Sequence, residues 1–577
     1  MADDFYEPLP TAVSYPWALL TKLHSDLLSS PDTVIIAIFV TIFVIGLTTR
    51  LFSGSESEAD RVAGKDGRTV WLLPYWFPYV GHGYQFLTNP MKLMREARDQ
   101  STHGIFALNL GGTRHNIISD PGLVKGVMQK KESEVQFHPI SWWIVERFFG
   151  IPKRAKSKYD SNWDGLMQPL HNLMREPHLS NMLKGTILGL KTNIPQMISF
   201  ARSEIDQQPW ERFAKAAYIS NSETEIGLMA LMRDMLGNAS VPGLFGSALM
   251  EKHPELLHDV YDMDEGLLFF LMGLPAYTPW PGVMKAHAAR FRLWQALDDF
   301  QMALDATVDD KPVDASWGDL DDVSELILTR HSTFKNQGFE VEERGDLSIL
   351  WALTVNANLV VFWQLLYILA TPGLLERVRA ELAPFVKISR PESIGKISEA
   401  PKLTIDYEGL SKNCHLFKSI YFEALRLNSQ PWSVRSLGSD VIIPSDKKSS
   451  NSVPYIMHKG EYITVPHDLH MLDPKYFKNP TTFDPERFLV QKEDGSLATD
   501  QGTIRPYGAG PSMCKGRIFA EKECLALVAG VLMFWDIEPA DTKAGWVIPG
   551  QKKTTAVSLP VKEVRVRIRR RRFEWEE

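Results

Sequence analysis

Cysteine is the residue this chain has least of: 3 in 577 residues, at Cys414, Cys514 and Cys524. An odd number, with no pair at zinc-ligand spacing, argues against a disulfide framework or a structural zinc site. The folded part is therefore expected to face a reducing compartment. Excess positive charge is missing too. The formal net charge is −7, so no general basic field exists to hold nucleic acid, and no nucleic-acid partner is expected. There is no internal repeat, and no low-complexity block beyond acidic stretches such as residues 309–322, which read as solvated faces. Long uncharged runs are also scarce. Two stand out, and each poses a choice between membrane and core.

The first occupies residues 33–49, "TVIIAIFVTIFVIGLTT", near the short end of what crosses the hydrocarbon layer. A cleaved signal peptide needs a basic leader, yet the residues before it are acidic (Asp3, Asp4, Glu7), with Lys22 the one Lys or Arg. A buried core helix is the remaining alternative. The preferred reading is a transmembrane anchor at residues 33–52. Residues 1–32 would then be lumenal, because Arg50, Arg61, Lys65 and Arg68 follow the span and place what comes after it in the cytosol.

The second run, Leu347–Ala370, has the length of another span. It carries Asn356, Asn358 and Gln364, which are costly in lipid. Asp346 precedes it and Thr371-Pro372-Gly373 follows, a start and a stop for a helix. A helix apolar all round belongs to a membrane or to the core of a large protein, and here the core is preferred.

Between these landmarks, residues 53–70 read as a polar linker. Pro74, Pro78 and Gly81 then turn the chain into a folded body, among aromatics suited to a membrane surface. Helical patterns recur, clearest at residues 372–382 and 416–428. Residues 561–572, "VKEVRVRIRRRR", alternate apolar and basic, the signature of a half-exposed strand at a sheet edge.

Cys514 sits in "RPYGAGPSMCKGR", residues 505–517. Gly508, Gly510 and Gly516 allow close approach by something bulky and flat, while Pro506 and Pro511 stiffen the loop. A helix is predicted over residues 518–534, so the sulfur lies near a helix N-terminus, where unpaired N–H groups favour a thiolate. That is a setting for an anionic sulfur ligand to iron.

"YGAGPSMCKG" resembles the haem-binding signature of the cytochrome P450 family, with Tyr507 at the aromatic position and Gly510, Cys514 and Gly516 at theirs. The basic residue often found two before the cysteine is Ser512 here. "EALR" (Glu423, Arg426) and "FDPERF" (Arg487) resemble the family's buried Glu-Arg-Arg cluster, whose role is structural. "HMLDP" (His470 to Pro474) and the segment after the anchor fit as well. The resemblance implies a mainly α fold with small β-sheets, a single haem-thiolate catalytic domain over residues 71–577, and haem b as cofactor. Cys514 would be the axial iron ligand, and Arg435 would bind a haem propionate; Trp163 and His171 are further candidates for that role. The two other cysteines have no such setting.

In the family, a long helix crosses the distal face of the haem with an acid and a threonine that deliver protons. Aligned on "VNANLVVFW", those positions are Asn358 and Leu359, with Asn356 at the glycine position, so both relay side chains are missing. Asn356 and Asn358 lie about 200° apart around a helix, so one of them faces the haem. The alignment selects Asn356, with Leu359 one turn on. This pattern resembles the branch containing sterol 7α- and 12α-hydroxylases and prostacyclin synthase. It implies a monooxygenase acting on a large hydrophobic molecule, a steroid, terpenoid or related secondary metabolite, with an NADPH-cytochrome reductase as partner in the endoplasmic reticulum membrane. The alternatives are an isomerase or dehydratase acting on a peroxide or endoperoxide without dioxygen or NADPH, and a non-catalytic haem-binding or sensor protein. Lys515 and Arg517 are candidates for meeting an acidic reductase.

Overall fold

The computed structural model describes residues 31–53, 67–101, 104–318, 320–390, 393–394, 397–398, 401–444, 454–552 and 556–573. The expected lumenal segment lies outside them up to residue 30, and the expected linker lies outside them from 54 to 66. The chain separates into two compact units, Met1–Asp120 with Ser439–Ile463, and Pro121–Gly438 with Thr464–Glu577.

In the first unit, Pro31–Ser53 forms one helix. Its side chains are largely exposed, and Val34–Ser53 is long and apolar enough to cross a membrane. The Thr41 and Thr48 hydroxyls turn back onto the carbonyls of Ala37 and Val44, each at 2.8 Å, so the helix satisfies its own polar groups. Arg50 closes the helix, donating to the Pro74 carbonyl beside the Trp76 ring. Gly81 (φ +57°) passes so close to the Asn109 carbonyl that a Cβ would lie 2.3 Å from it, which explains the glycine. Ile105–Leu110 and Thr113–Ile118 pair as an antiparallel hairpin across the positive-φ turn Gly111-Gly112. A three-stranded sheet joins Arg68–Thr69, Tyr455–Met457 and Val441–Ile443.

The second unit is mainly helical. Its axis is Ala357–Ala370, in which every residue from Ala357 to Ile368 is buried. Leu228–Phe245, His415–Asn428 and Arg517–Phe534 pack around it. His178–Asn193 crosses Leu228–Phe245 where glycine meets glycine; a Cβ on Gly185 would sit 2.9 Å from the Gly243 Cα. The core assignment of Leu347–Ala370 holds, with 72% of its most apolar window buried in the protein. It is not one continuous helix, however. It breaks at Val355-Asn356 into Leu347–Thr354 and Ala357–Ala370.

The basic tail is a strand, Arg565–Arg570, with Val566 and Ile568 fully buried. Its expected place at a sheet edge is wrong. It lies inside a four-stranded antiparallel sheet, between Trp535–Pro539 and Glu223–Gly227, with Ala217–Ser220 outermost. Cross-strand acids make that position tolerable: Glu225 meets Arg565 at 3.1 Å, and Glu538 meets Arg569.

Candidate haem-thiolate site

The cysteine loop is built entirely within the second unit. Gly510–Ser512 forms a short 3₁₀ turn, and Gly516 caps the Arg517–Phe534 helix. The Cys514 N–H donates to the Tyr507 carbonyl at 3.0 Å, closing the loop on itself. The Tyr507 hydroxyl meets that of Tyr421 at 2.5 Å and ties the loop to His415–Asn428. Gly510 (φ +74°) is needed because a Cβ there would lie 2.8 Å from the Met128 carbonyl. Gly516 differs: its Cβ would meet only the Cys514 sulfur, at an ordinary 3.9 Å. The chain itself does not demand glycine there, which leaves open space beside the sulfur.

Among the three cysteines, Cys514 alone is exposed. It is nonetheless surrounded by protein. Burial pushes its thiol up, opposed by the N–H of Gly516, the charges of Arg517 and Lys515, and the N–H of Arg517. Cys414 and Cys524 are buried filler. Burial pushes the Cys414 thiol up to about 12, and Cys524 donates to the Ala357 carbonyl at 3.4 Å.

The loop lies along the strand Trp432–Leu437. A Cβ on Gly508 would be 3.4 Å from Ser433 Oγ. Arg435 is 4% exposed, stacks 4.7 Å over the Phe137 ring, and donates to Val434 O and to Ser512 Oγ. Ser512, where a cation is usual, thus accepts a hydrogen bond from one. Buried His467 contacts Ser433 Oγ at 2.9 Å. Trp163 packs edge-on against His138, and His171 lies near enough to Lys515 for that charge to lower its pKa, after burial.

Glu423 and Arg426, one helical turn apart, are fully buried and joined twice, at 2.7 and 2.8 Å. Arg487 reaches both Glu423 oxygens at 3.1 Å. The remaining guanidinium N–H groups go to carbonyls: Met471 and Pro480 for Arg426, Lys478 and Thr482 for Arg487. The cluster pins the segment after His470 to His415–Asn428.

On the broken helix, half-buried Asn356 lies one turn beyond exposed Ala352, and its side-chain Oδ1 accepts the Val557 N–H at 3.3 Å. Leu359 is packed away at 1% exposure. Asn358 explains the break: its side-chain amide donates to the Thr354 carbonyl, a substitute for the backbone bond lost there. Lys515 and Arg517 are committed to the loop, donating to Pro511 O at 2.7 Å and Cys514 O at 2.9 Å.

A family model, Cytochrome P450, matches residues 72–567. The chain belongs to the cytochrome P450 family. It is similar to the cytochrome P450 monooxygenase poxD of Penicillium oxalicum, 25% identical over 83% of this chain and 89% of that one. The rat (Rattus norvegicus) 25-hydroxycholesterol 7-alpha-hydroxylase is 31% identical over 38% of this chain and 53% of its own. Rat prostacyclin synthase is 23% identical over 80% and 85%. As a P450 the protein is a haem-iron oxidoreductase, of a family that generally takes electrons from a reductase and acts on hydrophobic substrates. The residues present fit haem: an accessible sulfur, open space at Gly516, and a buried guanidinium at Arg435.

Sequence reasoning passed over Ser433, His467 and Arg505. Arg505 stands in the quoted loop itself; the signal was a missing cation at 512 with an unassigned one seven residues earlier.

Proposed function

We propose that this P450 is a monooxygenase that hydroxylates a large hydrophobic substrate, a steroid, terpenoid or related secondary metabolite. Haem b would be its cofactor, and an NADPH-cytochrome reductase in the endoplasmic reticulum membrane its electron source. The observation that carries the reading is the accessible Cys514 sulfur in a loop closed by its own N–H bond to Tyr507, in a chain whose relatives include a fungal P450 monooxygenase and a sterol 7-alpha-hydroxylase.

Bound haem iron supplies activation of dioxygen and insertion of one oxygen atom into a C–H bond. Cys514 would supply the thiolate that holds the iron, and the N–H groups of Gly516 and Arg517 would stabilise its negative charge. Arg435 would hold a propionate. Asn356, at the edge of the helix break, offers an amide that can fix a water or a substrate hydroxyl where Leu359 offers none. The basic residues beside the sulfur, Lys515 and Arg517, give that face the charge an acidic reductase would meet.

The test is turnover of lipid extracts by the full chain with reductase and NADPH under ¹⁸O-labelled dioxygen. A product gaining one labelled oxygen, formed only with NADPH, is expected. A product of unchanged mass formed without NADPH would overturn the reading in favour of an isomerase.

A further inference from the structure

Two guanidiniums of the loop and its neighbouring strand have no carboxylate partner among the described residues. Arg435 bonds only neutral oxygens, Val434 O and Ser512 Oγ. Arg505 reaches Pro121 O at 3.5 Å, and its buried Nε has no partner at all. A buried cation without a bonded counter-charge is costly; Arg435 is one, and Arg505 is half-buried with its Nε fully covered. Burial draws Arg435 down to about 10, with Glu132 the lone offset. Arg505 is lowered by burial with no offset.

Among the described residues, neither Arg435 nor Arg505 bonds a carboxylate, and Asp468, beside His467, accepts from Trp432 instead. His467 is held neutral, its pKa lowered to about 3 by burial, then by the charges of Arg505, His470 and Arg435. Arg505 belongs to the loop and Arg435 is bonded to it through Ser512, while His467 contacts Ser433 Oγ at 2.9 Å on the side where Gly508 approaches. Ser512 has become an acceptor for Arg435 and contributes no cation of its own.

We infer that Arg505 binds one haem propionate, replacing the cation that Ser512 lacks and dividing the two propionates with Arg435. This rests on the haem-thiolate reading above. Haem carries two carboxylates on one edge, and the loop that presents Cys514 carries or adjoins two unneutralised guanidiniums. Their planar forks suit carboxylates.

The experiment compares full-length holoenzyme with Arg505→Gln, Arg505→Lys and the double variant Arg505→Gln/Ser512→Arg. The readout is the rate of haem transfer to excess apomyoglobin, with circular dichroism to establish folding. Arg505→Gln is expected to lose haem roughly 10-fold faster or more, the scale of one charge-assisted hydrogen bond. The added arginine at 512 should restore most of the difference. Arg505→Lys should fall between, because it keeps the charge and loses the fork.

A folded Arg505→Gln that loses haem at the parent rate would overturn the inference, and so would faster loss that Ser512→Arg does not reverse, since Arg505 would then merely support the loop. If Arg505→Gln does not fold, the lysine variant decides: a parental rate overturns the inference, and an accelerated rate upholds it. An ordinary anion in place of propionate would show as chloride- or phosphate-dependent melting with unchanged haem loss, which also overturns it. The underlying reading fails differently: the parent itself would lack the carbon monoxide spectrum of thiolate-ligated haem.

Discussion

Glu423 has two guanidiniums and the Asp484 N–H on its two oxygens and no exposure at all. Replacing it with glutamine leaves Arg426 charged and buried, so Glu423→Gln is expected to cost about 3–5 kcal/mol. The measurement is the urea midpoint, followed together with haem content. A second buried carboxyl behaves in the opposite sense. Glu523 accepts from Ser240 Oγ at 2.7 Å, and burial pushes its pKa from 4.5 to about 8. Because the folded value is raised, its protonated form fits the fold. Stability is full below the unfolded value and is lost as pH rises through the folded one. Melting temperature should therefore fall over roughly pH 5 to 8 in the parent and fall less in Glu523→Gln; equal slopes would remove Glu523 from that account. The sequence made Glu423, Arg426 and Arg487 legible because their spacing is a pattern. Glu523 was not, because an unremarkable local neighbourhood says nothing of what the fold packs over it.

Among the elements, the broken helix Leu347–Ala370 shows most clearly what hydropathy does and does not reveal. Hydropathy is continuous through Leu347–Ala370, and the length and core placement follow from it. The break does not, because it is decided by one side chain: Asn358 donating to the Thr354 carbonyl. Asn358→Ala should leave that buried carbonyl without its side-chain donor and cost roughly 1–3 kcal/mol. It should also shift the haem absorbance if the two half-helices realign; denaturation and the visible spectrum of the same sample read both effects. The strand at Arg565–Arg570 failed differently. Its period was readable, but its position was not, because the partner Glu225 lies 340 residues away in the chain. Local alternation reports which side chains are buried, not which strands lie alongside.

For the whole molecule, the N-terminal helix and the turn after it make a prediction about membranes. Pro31–Ser53 is exposed along most of its length, and Trp76, Phe77 and Tyr79 just beyond are 47%, 53% and 82% exposed. The full chain should resist alkaline extraction from membranes. A chain lacking residues 1–53 should be released by alkali yet still sediment with neutral vesicles through those aromatics. Complete loss of vesicle binding on truncation would leave the helix as the sole anchor.

The central place of Arg565–Arg570 also bears on how the protein is made. When Glu223–Gly227 leaves the ribosome, it and Ala217–Ser220 can form no more than a two-stranded ribbon, and their next neighbour emerges 340 residues later. At translation rates of roughly 5–20 residues per second, that unpaired edge waits about 20–70 seconds. During synthesis, this stretch is one that a chaperone would have to protect.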